Sequence, residues 1–210
     1  MPPARPRRGR PRDPDADEQI LRAAEEQLLA HGYAAFTVDQ VARAAAVAKT
    51  TLYRRWPTKD HLAIAVIARM QDEVPVPDTG DLRADLADYL EQIALGLNRT
   101  RSAGPEHPPG DPSSGLVGEL VAAAARHPDI GALVRAVFEQ RNALAIGLID
   151  RARRRGDLRP DTDPALLFDQ LAGALYYRLL ITGLPIDRAY AEHLVDAALR
   201  GVLPVKENPA

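Results

Sequence analysis

The chain has 210 residues, nearly half of them apolar, enough for one compact domain or a small domain joined to a larger one. It has no cysteine, which excludes disulfides and thiolate metal sites and suits a reducing compartment. The net charge of −2 selects no partner, but residues 1–70 carry 12 Lys/Arg against 8 Asp/Glu and the remainder 15 against 21. A basic front end that meets a polyanion is one reading of that asymmetry, and chance variation is the other.

Residues 1–14, Pro- and Arg-rich without an apolar anchor, read as a disordered basic arm. No apolar segment follows the arm, and no apolar run approaches the roughly 20 residues that span a bilayer. Neither a secretory signal nor a membrane span is expected, and the expected location is cytoplasmic. Ile20, Ala24 and Leu28 repeat at helical spacing and predict a helix from about Asp15 to Ala30, stopped by Gly32. Thr37-Val38-Asp39-Gln40 has the form of a capping box and opens a short helix that ends near Ala45. A tight turn at Ala46-Val47 leads to a third helix, Lys49 to Trp56, broken by Pro57. Thr58 caps a fourth, running to about Asp72, and the segment from Val74 to Gly80 breaks the chain.

Longer helices follow. The periodicity predicts helices over Leu82–Asn98, Leu116–Arg126, a long one capped by Asp129 and reaching Arg155, then Pro164–Thr182 and Asp187–Val202. Residues 102–115 read as a mobile Gly/Pro/Ser loop. No stretch alternates with period two, so the fold class is all-α with about nine helices.

Residues 37–59 hold two short helices joined by a four-residue turn behind a longer supporting helix, the size and order of a helix-turn-helix. Val47 and Leu52 have the spacing of inward anchors. Lys49, Thr50, Thr51, Tyr53, Arg54 and Arg55 are left to face outward, residue types that contact base edges and phosphates. Lys59 sits in the first turn of the next helix, where a cation opposes the helix dipole and a phosphate partner would make sense of it. Taken alone, these residues are equally consistent with a solvated surface helix.

Residues 18–65 resemble the tetracycline-repressor (TetR) family of transcriptional regulators. The matching residues are Ile20-Leu21 with Ala23-Ala24, then Gly32-Tyr33, Phe36-Thr37-Val38 and Val41-Ala42. They continue through Ala45-Ala46-Val47-Ala48, Thr51-Leu52-Tyr53, Trp56-Pro57, Lys59 and Leu62. The stretches from Asp163 to Leu171 and from Ala174 to Gly183 resemble the dimerising regions of many such regulators. Two positions depart from the family pattern: Ala46, where glycine is usual, and Ala48, where Ser or Thr is frequent and alanine is a poor cap. The resemblance implies a helix-turn-helix DNA-binding domain over 15–60 and an effector-binding and dimerisation domain over 61–205. It assigns Thr37, Lys49, Thr50, Thr51, Tyr53, Arg54, Arg55 and Lys59 to operator contact. Tyr53 and Lys59 are expected on phosphates, and Lys49, Thr50 and Arg54 on bases.

In the arm, Arg8-Gly9-Arg10-Pro11-Arg12 has the form of a minor-groove hook led by Arg8 and Arg10, with a solubilising tail as the equal alternative. The helix at Pro164–Thr182 is too apolar to face water alone. It is either central in the monomer or, as the family implies, part of a homodimer interface together with Asp187–Val202. An effector pocket is expected between the helices of residues 82–182, lined by Tyr89, Ile93, Leu120, Phe138, Arg141, Asn142, Tyr176 and Tyr177. Inward Arg141 and Asn142 would give its small-molecule ligand polar or anionic character. The five histidines show no metal-ligand spacing, and no cofactor is implied. The expected function is a ligand-responsive repressor on a palindromic operator. An all-α enzyme has no phosphate loop, nucleophile elbow or paired-carboxylate motif behind it. An architectural helix-turn-helix protein without effector would lack a large pocket.

Overall fold

A computed structural model describes residues 14–72, 76–101 and 115–202. Among these residues there are nine α-helices and no strand. In chain order they are α1 (Pro14–Ala35), α2 (Val38–Ala44), α3 (Lys49–Arg55), α4 (Lys59–Asp72), α5 (Leu82–Arg101), α6 (Leu116–Arg126), α7 (Pro128–Arg155), α8 (Pro164–Tyr177) and α9 (Arg188–Arg200). The basic arm and most of the Gly/Pro/Ser loop lie outside the described residues.

Helix α1 buries Ile20, Ala24 and Leu28 at the expected spacing. Its helical path breaks at Gly32, whose φ of 73° is the left-handed conformation that glycine adopts without a Cβ penalty. Thr37 caps α2: its hydroxyl accepts from the Gln40 N–H at 3.3 Å. The Gln40 side-chain oxygen in turn accepts from the Thr37 hydroxyl at 2.8 Å. Helix α1 resumes past Gly32 to Ala35 and α5 runs past Asn98 to Arg101, and two further ends differ from expectation. Helix α7 starts at Pro128 with His127 as N-cap, one residue before Asp129, because proline has its φ already set for a first helical turn and no N–H to leave unsatisfied. Helix α8 does not run uniformly to Thr182. After Tyr177 it widens into a π-helical turn, Arg178–Thr182, which Gly183 closes at φ 63°.

The apolar side chains gather in two cores. The front core joins α1–α4 to α6 and the start of α7 through Ile20, Phe36, Leu52, Leu62, Leu120 and Ile130. The rear core joins α5, the second half of α7, α8 and α9 through Leu86, Tyr89, Leu148, Phe168, Leu171 and Val195. Helix α7 has 28 residues and is therefore about 42 Å long. It belongs to both cores, with Ile130 in the front and Ala145 to Ala152 in the rear. Its first turn lies directly on α6, where a Cβ at Gly131 would stand 3.0 Å from the Ala124 carbonyl oxygen.

Ion pairs fasten helices within each core, and one, Arg99 to Glu25, joins α5 of the rear core to α1 of the front. Arg69 of α4 pairs with Glu25 and, at 3.2 Å, with Glu18 of α1, while Arg99 of α5 reaches Glu25 at 3.5 Å. In the rear half, Arg188 of α9 meets Asp88 and Glu91 of α5 at 2.9 and 2.5 Å.

Candidate nucleic-acid interface

Helix α3 has one fully buried residue, Leu52. Val47 before it and Trp56 after it pack half-buried against the same core. Lys49, Thr50, Tyr53 and Arg54 are exposed. Positions i, i+1, i+4 and i+5 lie on one side of a helix, so these four form a single outward face. Donor-only Lys and Arg groups beside two hydroxyls match the acceptor-rich edge of a DNA groove and its phosphates.

Thr51 and Arg55 lie off that face and are half-buried. Arg55 is folded back into an ion pair with Asp17 of α1, and its side chain is only 15% exposed. Lys49 pairs with Asp39 in the first turn of α2. Lys59 lies on Tyr33: its ammonium is 4.2 Å from the ring centroid and donates to the Tyr33 carbonyl at 3.4 Å. The Tyr33 hydroxyl donates to Asp60, so the end of α1 and the start of α4 form one polar corner. The partners Asp17, Asp39 and Asp60 went unseen in the sequence, where they are separated from their cations or donor by 10 to 38 positions. Arg8 and Arg10 lie outside the described residues.

The turn before α3 is under local strain. Ala46 has φ 53°, a left-handed conformation that costs an L-residue about 1–2 kcal/mol. Ala48, the N-cap of α3, makes no side-chain cap hydrogen bond. The chain therefore departs from the family pattern at the two places where glycine and Ser/Thr relieve these costs.

The candidate ligand residues separate into groups. Tyr89 is fully buried, its ring 6.3 Å from Phe168 and under the Arg141 guanidinium at 4.8 Å. Burial raises the Tyr89 phenol pKa, an effect the Arg141 charge opposes. Burial also pushes the Tyr176 phenol up, so both stay protonated. Phe138 meets Tyr176 edge-on at 6.0 Å. Ile93 packs half-buried on the rear core and Asn142 is half-buried. Leu120 belongs to the front core, and Tyr177 is 58% exposed on the surface of α8. Two spaces open along the seam of α4 and α7. One is a narrow apolar cleft, about 300 Å³ only with its open solvent side included, where α6 joins the seam; its lining includes Ile64, Ile67, Leu120, Val121 and Phe138. The other, of about 660 Å³ with its open mouth included, is lined by Ala68, Gln71, Asp72, Val76, Val137, Gln140, Arg141 and Leu144. The α4 side of this seam was missed in the sequence, where Gln71 and Asp72 read only as a helix end.

Among the described residues no helix is long and apolar enough to cross a membrane, and no group of His, Asp and Glu is arranged to hold a metal ion.

Residues 20–66 match the family model described as bacterial regulatory proteins, tetR family, and residues 109–198 match the tetracyclin repressor-like C-terminal domain. An uncharacterized HTH-type transcriptional regulator YdeS of Bacillus subtilis is 32% identical over 198 residues, covering 93% of this chain and 94% of its own. The DNA-binding transcriptional repressor TetR of Mycobacteroides abscessus is 32% identical, covering 86% and 90%. The crystal structure of the TetR family transcription regulator SCO0332 superposes with a TM-score of 0.74 at 37% identity, covering 90% of this chain and all of that one. With α3 presented by a helix-turn-helix and both family models matched in order, this chain belongs to the TetR family of helix-turn-helix transcriptional regulators.

Proposed function

We propose that the protein is a repressor that binds a palindromic operator as a homodimer and is released by a small molecule. The observation that carries the reading is the single exposed face of α3, formed by Lys49, Thr50, Tyr53 and Arg54. Lys49, Thr50 and Arg54 read base edges, with Lys49 exchanging Asp39 for DNA. Tyr53 and Lys59 hold phosphates, and Thr37, Thr51 and Arg55 flank the contact. Arg8 and Arg10 of the arm enter the minor groove. Residues 15–60 form the DNA-binding unit and 61–205 the effector and dimer unit.

Dimerisation is supported by α8 and its π-turn, which expose Leu166, Tyr177 and Ile181 at 56%, 58% and 65%. They recur on one side of the helix, and Gly173 between them has open space beside it, so a partner helix approaches closely there. The Mycobacteroides abscessus relative is itself a DNA-binding transcriptional repressor. In this mechanism the effector binds best to a conformer whose two recognition helices are wrongly spaced, and operator affinity falls.

The test is a gel shift on the DNA flanking the gene of this protein, with and without candidate ligands. A specific shift is expected, weakened about tenfold or more by Arg54→Ala. Lys59→Gln lowers the magnitude of the salt slope by about one, and deletion of residues 1–12 flattens it further. Absence of any specific shift at low salt overturns the reading.

A further inference from the structure

Between Thr37 and Lys59 the chain carries five cations, Arg43, Lys49, Arg54, Arg55 and Lys59, and one carboxylate, Asp39. That carboxylate is set on Lys49, the first residue of α3 and part of its outward face. Capping does not account for the arrangement, because Thr37 already caps α2 through the Gln40 N–H. Arg43 donates to the Asp39 backbone carbonyl at 3.3 Å and leaves the carboxylate to Lys49. Stability does not account for it either: the Asp39 and Lys49 side chains are 45% and 57% exposed, and an ion pair in solvent contributes little. An acid in the first turn of α2 suits the helix dipole, but that role needs no lysine partner. What the pair changes is charge. It cancels a cation at the start of α3, the end of a recognition helix that contacts base edges.

Binding to DNA of any sequence is carried by cations on phosphates. A phosphate offers Lys49 one anion in exchange for another and leaves Asp39 unpaired beside a polyanion. A guanine edge presents two acceptors together, O6 and N7, to a lysine seated in the major groove. We infer that Asp39 is a specificity-determining residue: it holds Lys49 back from phosphates and yields it only when α3 is seated on its operator. Asp39 thus weakens non-operator binding more than operator binding. This inference rests on the proposed operator recognition and adds a residue that acts through Lys49, without itself touching DNA.

The full-length protein is titrated by fluorescence anisotropy over a series of salt concentrations against two duplexes, the fragment that it shifts specifically and a scrambled duplex of the same length and composition. Asp39→Asn frees Lys49 for a phosphate. Binding to the scrambled duplex is expected to tighten about tenfold at about 0.1 M salt for each helix-turn-helix engaged, with a salt slope steeper by about one. Operator binding is expected to change by less than about threefold, because breaking an exposed ion pair costs little. The ratio of the two affinities therefore falls. Lys49→Gln lowers the ratio as well, and adding Asp39→Asn to it lowers the ratio no further, because the two residues act as one unit. Equal tightening on both duplexes means that Asp39 is only a repelling charge. Weaker operator binding with the scrambled duplex unchanged means that Asp39 contacts the operator itself. Either result overturns the inference, as does a fall in ratio that adds in full to that of Lys49→Gln, and each leaves operator recognition standing. A parent protein that prefers no fragment over the scrambled duplex overturns operator recognition instead, and the inference with it.

Discussion

The recognition helix and the last two helices of the body are built to different standards. Helix α8 is capped by Asp163, whose carboxylate accepts from two backbone N–H groups at 2.9 and 3.3 Å. Helix α9 is capped by Asp187, at 2.8 Å from the Tyr190 N–H. Each buries three or more side chains. Helix α3 has seven residues, one buried anchor, no side-chain cap and a preceding alanine in the left-handed region. A helix this short is marginal without tertiary contacts. Leu52 is therefore the buried anchor of α3, helped by Val47, Trp56 and the Arg55–Asp17 pair, while the local chain contributes cost. The contrast places low stability at the element proposed to meet DNA, where such a contact needs a polar surface that cannot be buried for stability.

Trp56, the only tryptophan, is the C-cap of α3 and reports on it. Its fluorescence midpoint in urea is expected below the far-ultraviolet midpoint that the body dominates. The largest change comes from Leu52→Ala, which removes the anchor and costs about 3 kcal/mol. It should widen the gap between the two midpoints and abolish operator binding. Coincident midpoints in the variant would mean that the two regions unfold as one unit and the contrast is wrong.

Ala46→Gly relieves the left-handed strain and should stabilise by about 1 kcal/mol. Ala48→Ser supplies the missing cap for a similar gain. The two positions are neighbours, so their sum need not be additive. Both should raise the Trp56 midpoint toward that of the body. The mirror experiment is Asp163→Ala, which removes two cap hydrogen bonds from α8 and costs about 1 kcal/mol. It should lower the far-ultraviolet midpoint and leave the Trp56 midpoint where it was.

The same contrast explains what the sequence disclosed. Helix α6 matches its predicted bounds, Leu116–Arg126, because its apolar period is strong and His127-Pro128 stops it within two residues. The break in α1 at Gly32 and the capping of α2 by Thr37 are likewise local signals. The π-turn after Tyr177 was not legible, since its composition is as apolar and helix-compatible as the helix it ends. In the DNA-facing region, residue types alone pointed to the polar side of α3. They did not reveal that Arg55 would turn to Asp17 or Lys59 onto Tyr33, because those contacts exist only after α1, α3 and α4 have packed. The α4–α7 seam is hidden for the same reason: its walls are about 70 residues apart in the chain.

The smallest effect concerns how the body is held at its surface. Arg83 donates to Asp196 at 2.5 and 2.9 Å and joins α5 to α9. These hydrogen bonds hold the Asp196 carboxyl below its ordinary value of 3.8, with the Arg83 charge acting in the same direction. A lowered folded-state pKa stabilises the protein above the unfolded value, and that stabilisation is lost as the pH falls through the folded value. Arg83 is exposed and Asp196 only half-buried, so the contribution is screened and small. Arg83→Gln should lower the far-ultraviolet midpoint slightly at pH 6, and the difference from the parent protein should close as the pH falls below 3.8. Added salt should close it as well. A difference that persists at pH 2.5 and in high salt would mean that Arg83 acts through the packing of its aliphatic stem on α9 and not through its charge. The body's surface would then be held by the same apolar contacts as its core, and the distance between its standard of construction and that of α3 would be greater still.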